Sequence, residues 1–233
     1  MKIAIVTGGA SGLGAALSRQ LTTEGATVIV ADINSADRPI DVSDKHAIAE
    51  LVNKTIQEHG RLDLMINCAG ILSGGAAEEL PWERIIEINL GGVIAGSMAA
   101  YSVMRQQGFG HILNISSVSA LFFAPLHLPY VTSKSAVLGF SIALEAEAAR
   151  HNVKVSVACP GNIITPMTRG AAVSRFTPAI SAEQAAAAVL TGIKRNKRII
   201  VFPLYSKLLW WLERASPALG SVLRRHIVRK AAE

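Results

Sequence analysis

Cysteine is scarce in this sequence. Cys68 and Cys159 are the only two in 233 residues, and no Cys-x-x-Cys or metal-like spacing surrounds them. That argues against a disulfide framework and for reduced thiols in a cytosolic setting. A secretory leader is not expected: residue 1 leads within one step into the short apolar run "KIAIV", which Thr-Gly follows with no cleavage site. No stretch reaches about 18 uninterrupted apolar residues, so a transmembrane span is not expected. Repeats, low-complexity segments and linkers are absent before about residue 200.

A basic body is missing too, although the net charge is +6. Residues 194–233 hold ten Lys/Arg against two Asp/Glu, leaving thirteen against fifteen in the other 193 residues. A nucleic-acid binder would carry its positive charge on the body, so no nucleic-acid partner is expected. The positive charge belongs to the tail.

What the sequence has in quantity is apolar material, half of all residues. The runs "KIAIV", "TVIVA", "LDLMIN", "HILNIS", "VKVSVA" and "RIIVF" alternate with helical patterns at about 12–24, 44–59, 81–107, 130–150 and 181–192. Nearly continuous apolar strands alternating with helices imply an α/β fold, a parallel sheet covered on both faces. Right-handed crossovers make it doubly wound. The expectation is a three-layer Rossmann-type sheet of about seven strands over residues 1–202, with a helical extension over 203–233. One candidate strand, "RPIDV", begins near Arg38, only about six residues after the second strand. A parallel crossover takes a dozen or more, so a bare loop is expected where a helix would usually lie.

The first strand runs into "TGGASGLG", residues 7–14, and then into a helix. Gly8, Gly12 and Gly14 allow a tight turn, and with Ser11 and Leu13 they form a candidate pyrophosphate cradle at a positive helix N-terminus. Asp32 follows the second strand, eighteen residues after Gly14. A carboxylate there can accept from adenine-ribose hydroxyls and would repel a 2′-phosphate. No Arg or Lys lies in the glycine turn, so NAD is favoured over NADP.

With these residues on the page, the sequence resembles the short-chain dehydrogenase/reductase family. "TGGASGLG" is similar to its glycine turn, "NCAG" (67–70) to its Asn-Asn-Ala-Gly, and "INLGG" to the segment carrying its helix asparagine. "NISS" (114–117) resembles its serine strand, Tyr130-x-x-x-Lys134 its catalytic pair, and "PGNIITPM" (160–167) its nicotinamide-side loop. The motifs occur in the family's order over roughly residues 1 to 202. The resemblance implies that Ser117 holds the substrate oxygen, with Ser116 its structural neighbour, and that Asn89 supports a water-linked proton path to Lys134. It implies adenine contacts at Asp41 and Val42, an adenosine wall of Asn67, Ala69 and Gly70, and nicotinamide contacts from Pro160, Gly161, Ile163 and Thr165. Cys68 departs from the pattern, standing where the family carries a second Asn.

The implied chemistry, hydride exchange between an alcohol or carbonyl carbon and a nicotinamide, needs a base for the hydroxyl proton. A free tyrosine has a pKa near 10, and bringing it near 7 takes roughly 4 kcal/mol. One cation at about 4 Å supplies about that much at an effective dielectric near 20, against about 1 kcal/mol in water. Lys134, one helical turn after Tyr130 and helped by the positive charge of oxidised nicotinamide, is therefore expected to acidify the phenol in a water-excluded cleft. No metal is needed, because Lys134 and Ser117 supply the polarisation.

The loop "VSALFFAPLHLP" between Ser117 and Tyr130 is apolar apart from Ser119 and His127; the resemblance places it beside the substrate and so implies a hydrophobic alcohol or ketone. Phe122 and Phe123 read equally well as core packing, and His127 reads as structural. The segment 167–178 stands where the family carries a mobile lid. Pro217 and Gly220 divide the tail into two short helical pieces. Its apolar face reads either as cover for its own domain or a sister subunit, or, with Trp210, Trp211 and the Arg residues, as peripheral membrane contact. A homodimer or homotetramer is expected.

Overall fold

The apolar runs become strands buried on both faces: every residue of β1 (Ile3–Thr7) is buried. The computed structural model describes residues 2–35, 39–75, 79–169 and 177–231. After β1 come α1 (Gly12–Thr23), β2 (Thr27–Ala31), α2 (Lys45–His59) and β3 (Leu64–Asn67). A long helical stretch follows, made of α3 (Trp82–Ile86), a π-helical turn (Glu87–Gly91) and α4 (Gly92–Gln107). Next are β4 (Gly110–Ile115), the single-turn α5 (Ser119–Phe122), α6 (Leu128–Ala148) and β5 (Val153–Pro160). The chain ends with β6 (Ile163–Ile164), β7 (Ile180–Ser181), α7 (Ala182–Lys194), β8 (Ile199–Phe202), α8 (Leu204–Ala215) and α9 (Pro217–Ala231).

Six strands form one parallel sheet in the order β2-β1-β3-β4-β5-β8. One apolar cluster joins it to α1 and α7 through Leu13, Leu17, Val189 and Leu190. Another joins its opposite face to α2, α4 and α6 through Leu51, Met104 and Leu144. The doubly wound, three-layer expectation holds, with six strands in place of about seven. Arg38 lies outside the described residues, and the rest of "RPIDV" makes one bridge, Asp32 to Pro39. So short a connection leaves no room for a crossover helix, and proline cannot donate to a ladder.

Helix ends follow their capping residues. Asp44 accepts from His46 N (2.8 Å) and Ala47 N (3.2 Å) to start α2, and Gly60, with φ 71°, ends it. The stretch Trp82–Gln107 is long and apolar enough to cross a membrane by length and composition, and it packs on β3, β4 and α2. In the tail the break falls at Ser216–Pro217. Gly220 does not break the chain as expected. It lies buried inside α9, where a side chain would run into the Glu213 carboxylate.

One buried polar set inside the sheet gives the fold a pH dependence. Ser156 Oγ donates to Lys197 O (2.7 Å), so the Nε2–H of His111 must be the donor in its 2.8 Å contact with Ser156. Burial, aided by Lys154 and Lys2, pushes the His111 pKa from 6.5 down to about 4. Unfolded chains therefore bind the extra proton between those values. Stability is full above pH 6.5 and declines as pH falls toward 4, by about 3 kcal/mol in total. Urea midpoints should fall between pH 7 and pH 4.5, and H111Q should flatten that fall; an equal fall in H111Q would contradict this assignment.

Candidate active site

The chain leaves β1 toward β2 on one side and toward β3 on the other. Loops at such a switch point diverge and open a crevice at the carboxyl ends of the strands. The glycine turn after β1 and Cys68-Ala69-Gly70 after β3 border this crevice. Gly8 has φ +66°, and a Cβ there would lie 2.7 Å from Ala69 Cα. Gly14 lies so close to the Gly8 carbonyl that a side chain would collide with it. Gly12 has φ +51°, and its added Cβ would stand 3.2 Å from Thr165 Cγ2, which brings the turn against the loop after β5. Thr7 Oγ1 completes the junction by accepting from Cys68 N (3.1 Å) and Ala69 N (3.3 Å).

Ser11 is the N-cap of α1, yet its side chain makes no capping bond, and the first turn holds no acid. A 12-residue helix thus presents its positive end without an internal counter-group. Together with glycines whose side chains the space forbids, this fits a bound dinucleotide pyrophosphate. The Leu13 side chain packs into the core. Asp32 is buried and ties the turn to the end of β2, Oδ2 accepting from Ala10 N (3.1 Å) and Oδ1 from Asn34 N (2.9 Å). Carboxylate oxygens have further lone pairs, so these bonds leave acceptor capacity for ribose hydroxyls. A concavity of about 420 Å³ opens beside the turn, lined by Ser11, Gly12, Arg19, Ile164, Pro166 and Glu183 among others.

Other residues singled out for cofactor contact also make contacts within the chain. Asp41 accepts from Ser43 N (2.9 Å), Ser43 Oγ (2.7 Å) and Arg84 Nη2 (3.0 Å), and these bonds lower its pKa to about 2. Val42 is buried against Gly92. Asn67 points into the interior, its amide NH2 donating to Ser97 Oγ (3.1 Å) and Asn114 Oδ1 (2.8 Å) while its Oδ1 is buried without a partner among the described residues. The Ile163 side chain belongs to the core. Pro160 O accepts from Val118 N (2.8 Å), and Gly161 is pressed against Tyr205 and Ser206 of α8.

The proton-handling residues converge as the sequence implied. Ser117 follows β4, and its hydroxyl faces the Tyr130 phenol closely enough to pull the phenol's pKa down against burial. Ser116 Oγ donates to Lys134 O (2.7 Å), fastening α6 to the end of β4 and so setting that distance. Lys134 Nζ donates to Ile115 O (2.9 Å) and stands 5.7 Å from the centre of the Tyr130 ring. Asn89 sits in the π-helical turn, a distortion frequent at functional sites. Its amide exchanges two bonds with the Ile71 backbone (2.8 and 2.9 Å) and reaches Ser133 Oγ (3.3 Å). A Cβ at Gly70 would meet Asn89 Oδ1 at 3.2 Å and Lys134 Nζ at 3.4 Å, which places these groups around one point.

The electrostatics differ from the expectation in the protein alone. Burial raises the Tyr130 pKa, the Ser117 bond opposing it more weakly. Burial also lowers Lys134 from 10.5 to about 8. A low-dielectric pocket disfavours both charged forms, so the lysine alone does not acidify the phenol. Burial pushes the Cys68 and Cys159 thiols up to about 12, which leaves both neutral. No cluster of three metal-ligating side chains occurs among the described residues. Thr7, Ser97 and Ser133 are site supports that sequence reading passed over; their signal is a polar residue inside an otherwise buried apolar pattern.

His127 Nδ1 lies 3.1 Å from Ser73 O, a structural tie between two loops. Phe122 is buried, whereas Phe123, Leu126 and Leu128 are exposed. Of the segment 167–178, residues 170–176 lie outside those described.

Comparison with known proteins agrees with this geometry. A family model described as short chain dehydrogenase matches residues 2–175. The short-chain reductase protein NovJ of Streptomyces niveus is 37% identical over 188 residues, covering 71% of this chain and 70% of that protein. The 3-oxoacyl-[acyl-carrier-protein] reductase FabG of Thermotoga maritima is 33% identical over 187 residues, covering 72% and 76%. Among solved structures, gox2181 superposes with a TM-score of 0.80 at 26% identity, covering 86% of this chain and 93% of its own. A glycine turn at the switch point, a Ser–Tyr–Lys cluster beside it and these matches lead to one conclusion: the chain belongs to the short-chain dehydrogenase/reductase family of NAD(P)-binding oxidoreductases.

Proposed function

We propose that the protein is an NAD-dependent dehydrogenase or reductase that interconverts an alcohol and its carbonyl compound on a hydrophobic substrate. The observation that carries this reading is the buried convergence of Ser117, Tyr130 and Lys134 beside an uncapped helix N-terminus. NAD, when bound, supplies the hydride acceptor, or the donor in the reverse direction. Gly12, Gly14 and the first turn of α1 hold its pyrophosphate, and Asp32 and Lys134 its ribose hydroxyls. Ser117 orients the substrate oxygen, and Tyr130 exchanges the proton with it. Lys134 keeps that proton moving toward Asn89. The exposed apolar side chains of Phe123, Leu126 and Leu128 beyond α5 favour an apolar substrate. The relatives include a D-beta-hydroxybutyrate dehydrogenase of Rhizobium meliloti, 28% identical over 188 residues, consistent with action on a hydroxyl-bearing carbon.

We infer further that the tail makes peripheral contact with an anionic lipid surface. Leu204, Leu208 and Trp211, at 68%, 61% and 65% exposure, form one outward stripe of α8, and exposed Lys207, Arg214 and Arg225 flank it. Such a stripe beside cations suits a lipid interface. The opposite face meets the protein's own core, Trp210 packing with Leu121, Cys159 and Val201. Assembly with a second copy is supported by exposed Ile94, Met98 and Ile142 on α4 and α6; light scattering at the monomer mass would remove it.

Calorimetric titration should show NAD binding at least tenfold more tightly than NADP, with Asp32→Ala narrowing the ratio. Tyr130→Phe should bind NAD as the parent does and lose turnover of long-chain alcohols by a thousandfold or more, the scale of a lost acid–base group. Turnover retained by Tyr130→Phe would remove the enzymatic reading, and tighter NADP binding the account of Asp32. For the tail, sedimentation with vesicles containing phosphatidylserine should fall when Leu208 and Trp211 are replaced by Ser. Equal sedimentation of variant and parent would remove the lipid contact.

A further inference from the structure

The tail is fastened to both loops that border the candidate site. On one side the Tyr205 hydroxyl of α8 accepts from Asn162 N (2.6 Å), and Gly161 leaves no room there for a side chain. On the other side Arg224 of α9 reaches the loop that leads away from Ser117. Its Nη1 donates to the carbonyl of Phe122 (3.2 Å), and its guanidinium lies 5.8 Å and 5.9 Å from the ring centres of Phe122 and Phe123. The same nitrogen pairs with Glu213 of α8, and both side chains are largely enclosed. Gly220 permits this pairing, because a side chain there would strike the Glu213 carboxylate.

The contact falls where the loop needs support. α5 has four residues, and Phe123 ends it with φ 56°, a left-handed conformation costly for a side chain of that size. The Phe122 carbonyl at that helix end is one of the acceptors a short helix leaves unsatisfied, and a cation there is favourable. Downstream effects reach the site directly, since Ser119 N donates to Ser117 Oγ (3.1 Å) and Ala120 N to Ser117 O (3.1 Å).

We propose that Arg224 is a positioning residue: braced by Glu213, it holds α5 and Phe123 in place and thereby sets the substrate-facing wall beside Ser117. The tail is then part of the site's architecture. That residues 119–127 face the substrate rests on the dehydrogenase reading above; the clasp itself rests on the contacts.

The test uses the full chain, hydrogen exchange and steady-state kinetics on R224Q, R224K and E213Q. In R224Q, amides of residues 120–127 should exchange about tenfold faster, the effect of losing a charged hydrogen bond, while amides of the central strands keep their rates. E213Q should show a smaller rise in the same segment, and R224K an intermediate one. With 1-octanol as probe, KM should rise about tenfold in R224Q, with kcat changed less and NAD affinity unchanged. Unchanged exchange in 120–127, a rise spread over the whole sheet, or a loosened loop with unaltered KM would overturn the proposal. If the parent protein failed to oxidise the alcohol, the dehydrogenase reading would suffer, and the exchange data alone would decide the clasp.

Discussion

An ammonium group with no carboxylate partner among the described residues sits inside this protein, and the site is organised around it. Lys134 is 4% exposed and donates to one carbonyl, that of Ile115. Burial lowers its pKa from 10.5 to about 8, a cost of about 3 kcal/mol while it stays charged below pH 8. Above pH 8 the cost recedes. A fold selected for stability alone would fill that volume with an apolar side chain; this one keeps the cation beside a phenol that is itself raised by burial. The resting site is therefore dry and electrostatically unfavourable. On the proposed reading, bringing the phenol's proton into use falls to groups that arrive with the dinucleotide.

The surrounding structure supports that arrangement with polar contacts of short reach. Ser116 fastens α6 to β4, Asn89 bridges the π-helical turn to the end of β3, and Thr7 binds the β3 loop to the glycine turn. Each is a neutral donor or acceptor in an apolar frame, where an unmatched group would be expensive. Because the contacts join different strands at the same end of the sheet, the site depends on strand register. A shift of one residue in β4 would turn Ser117 away from Tyr130.

Much of this was legible in the sequence. Continuous apolar runs and helical spacing gave the sheet and the main helices nearly to the residue, because burial on both faces leaves few alternatives. The glycine turn, Ser117, Tyr130, Lys134 and Asn89 are local or nearly local patterns, and they meet in space. The adenine edge was less legible. Asp41 turns to the neighbouring Ser43 and to Arg84, and Val42 to Gly92; Arg84 and Gly92 lie far along the chain, where no local pattern encodes them. Asn67 likewise spends its amide NH2 on Ser97 and Asn114, thirty and forty-seven residues away, and leaves Oδ1 buried without a partner among the described residues. The seventh strand failed on connection length. The upward shift of Tyr130 in the protein alone was not legible, because spacing reveals a neighbouring cation but not how much water both groups have lost.

The central claim, that this phenol becomes a usable proton carrier only with a dinucleotide in place, is open to direct titration. Tyrosinate absorbance followed against pH, as the difference between the parent chain and Tyr130→Phe, isolates one of three tyrosines. The account predicts ionisation above the ordinary value of about 10 without NAD, and well below it when NAD saturates the protein. An unchanged midpoint on adding NAD, under conditions where NAD is bound, would contradict it.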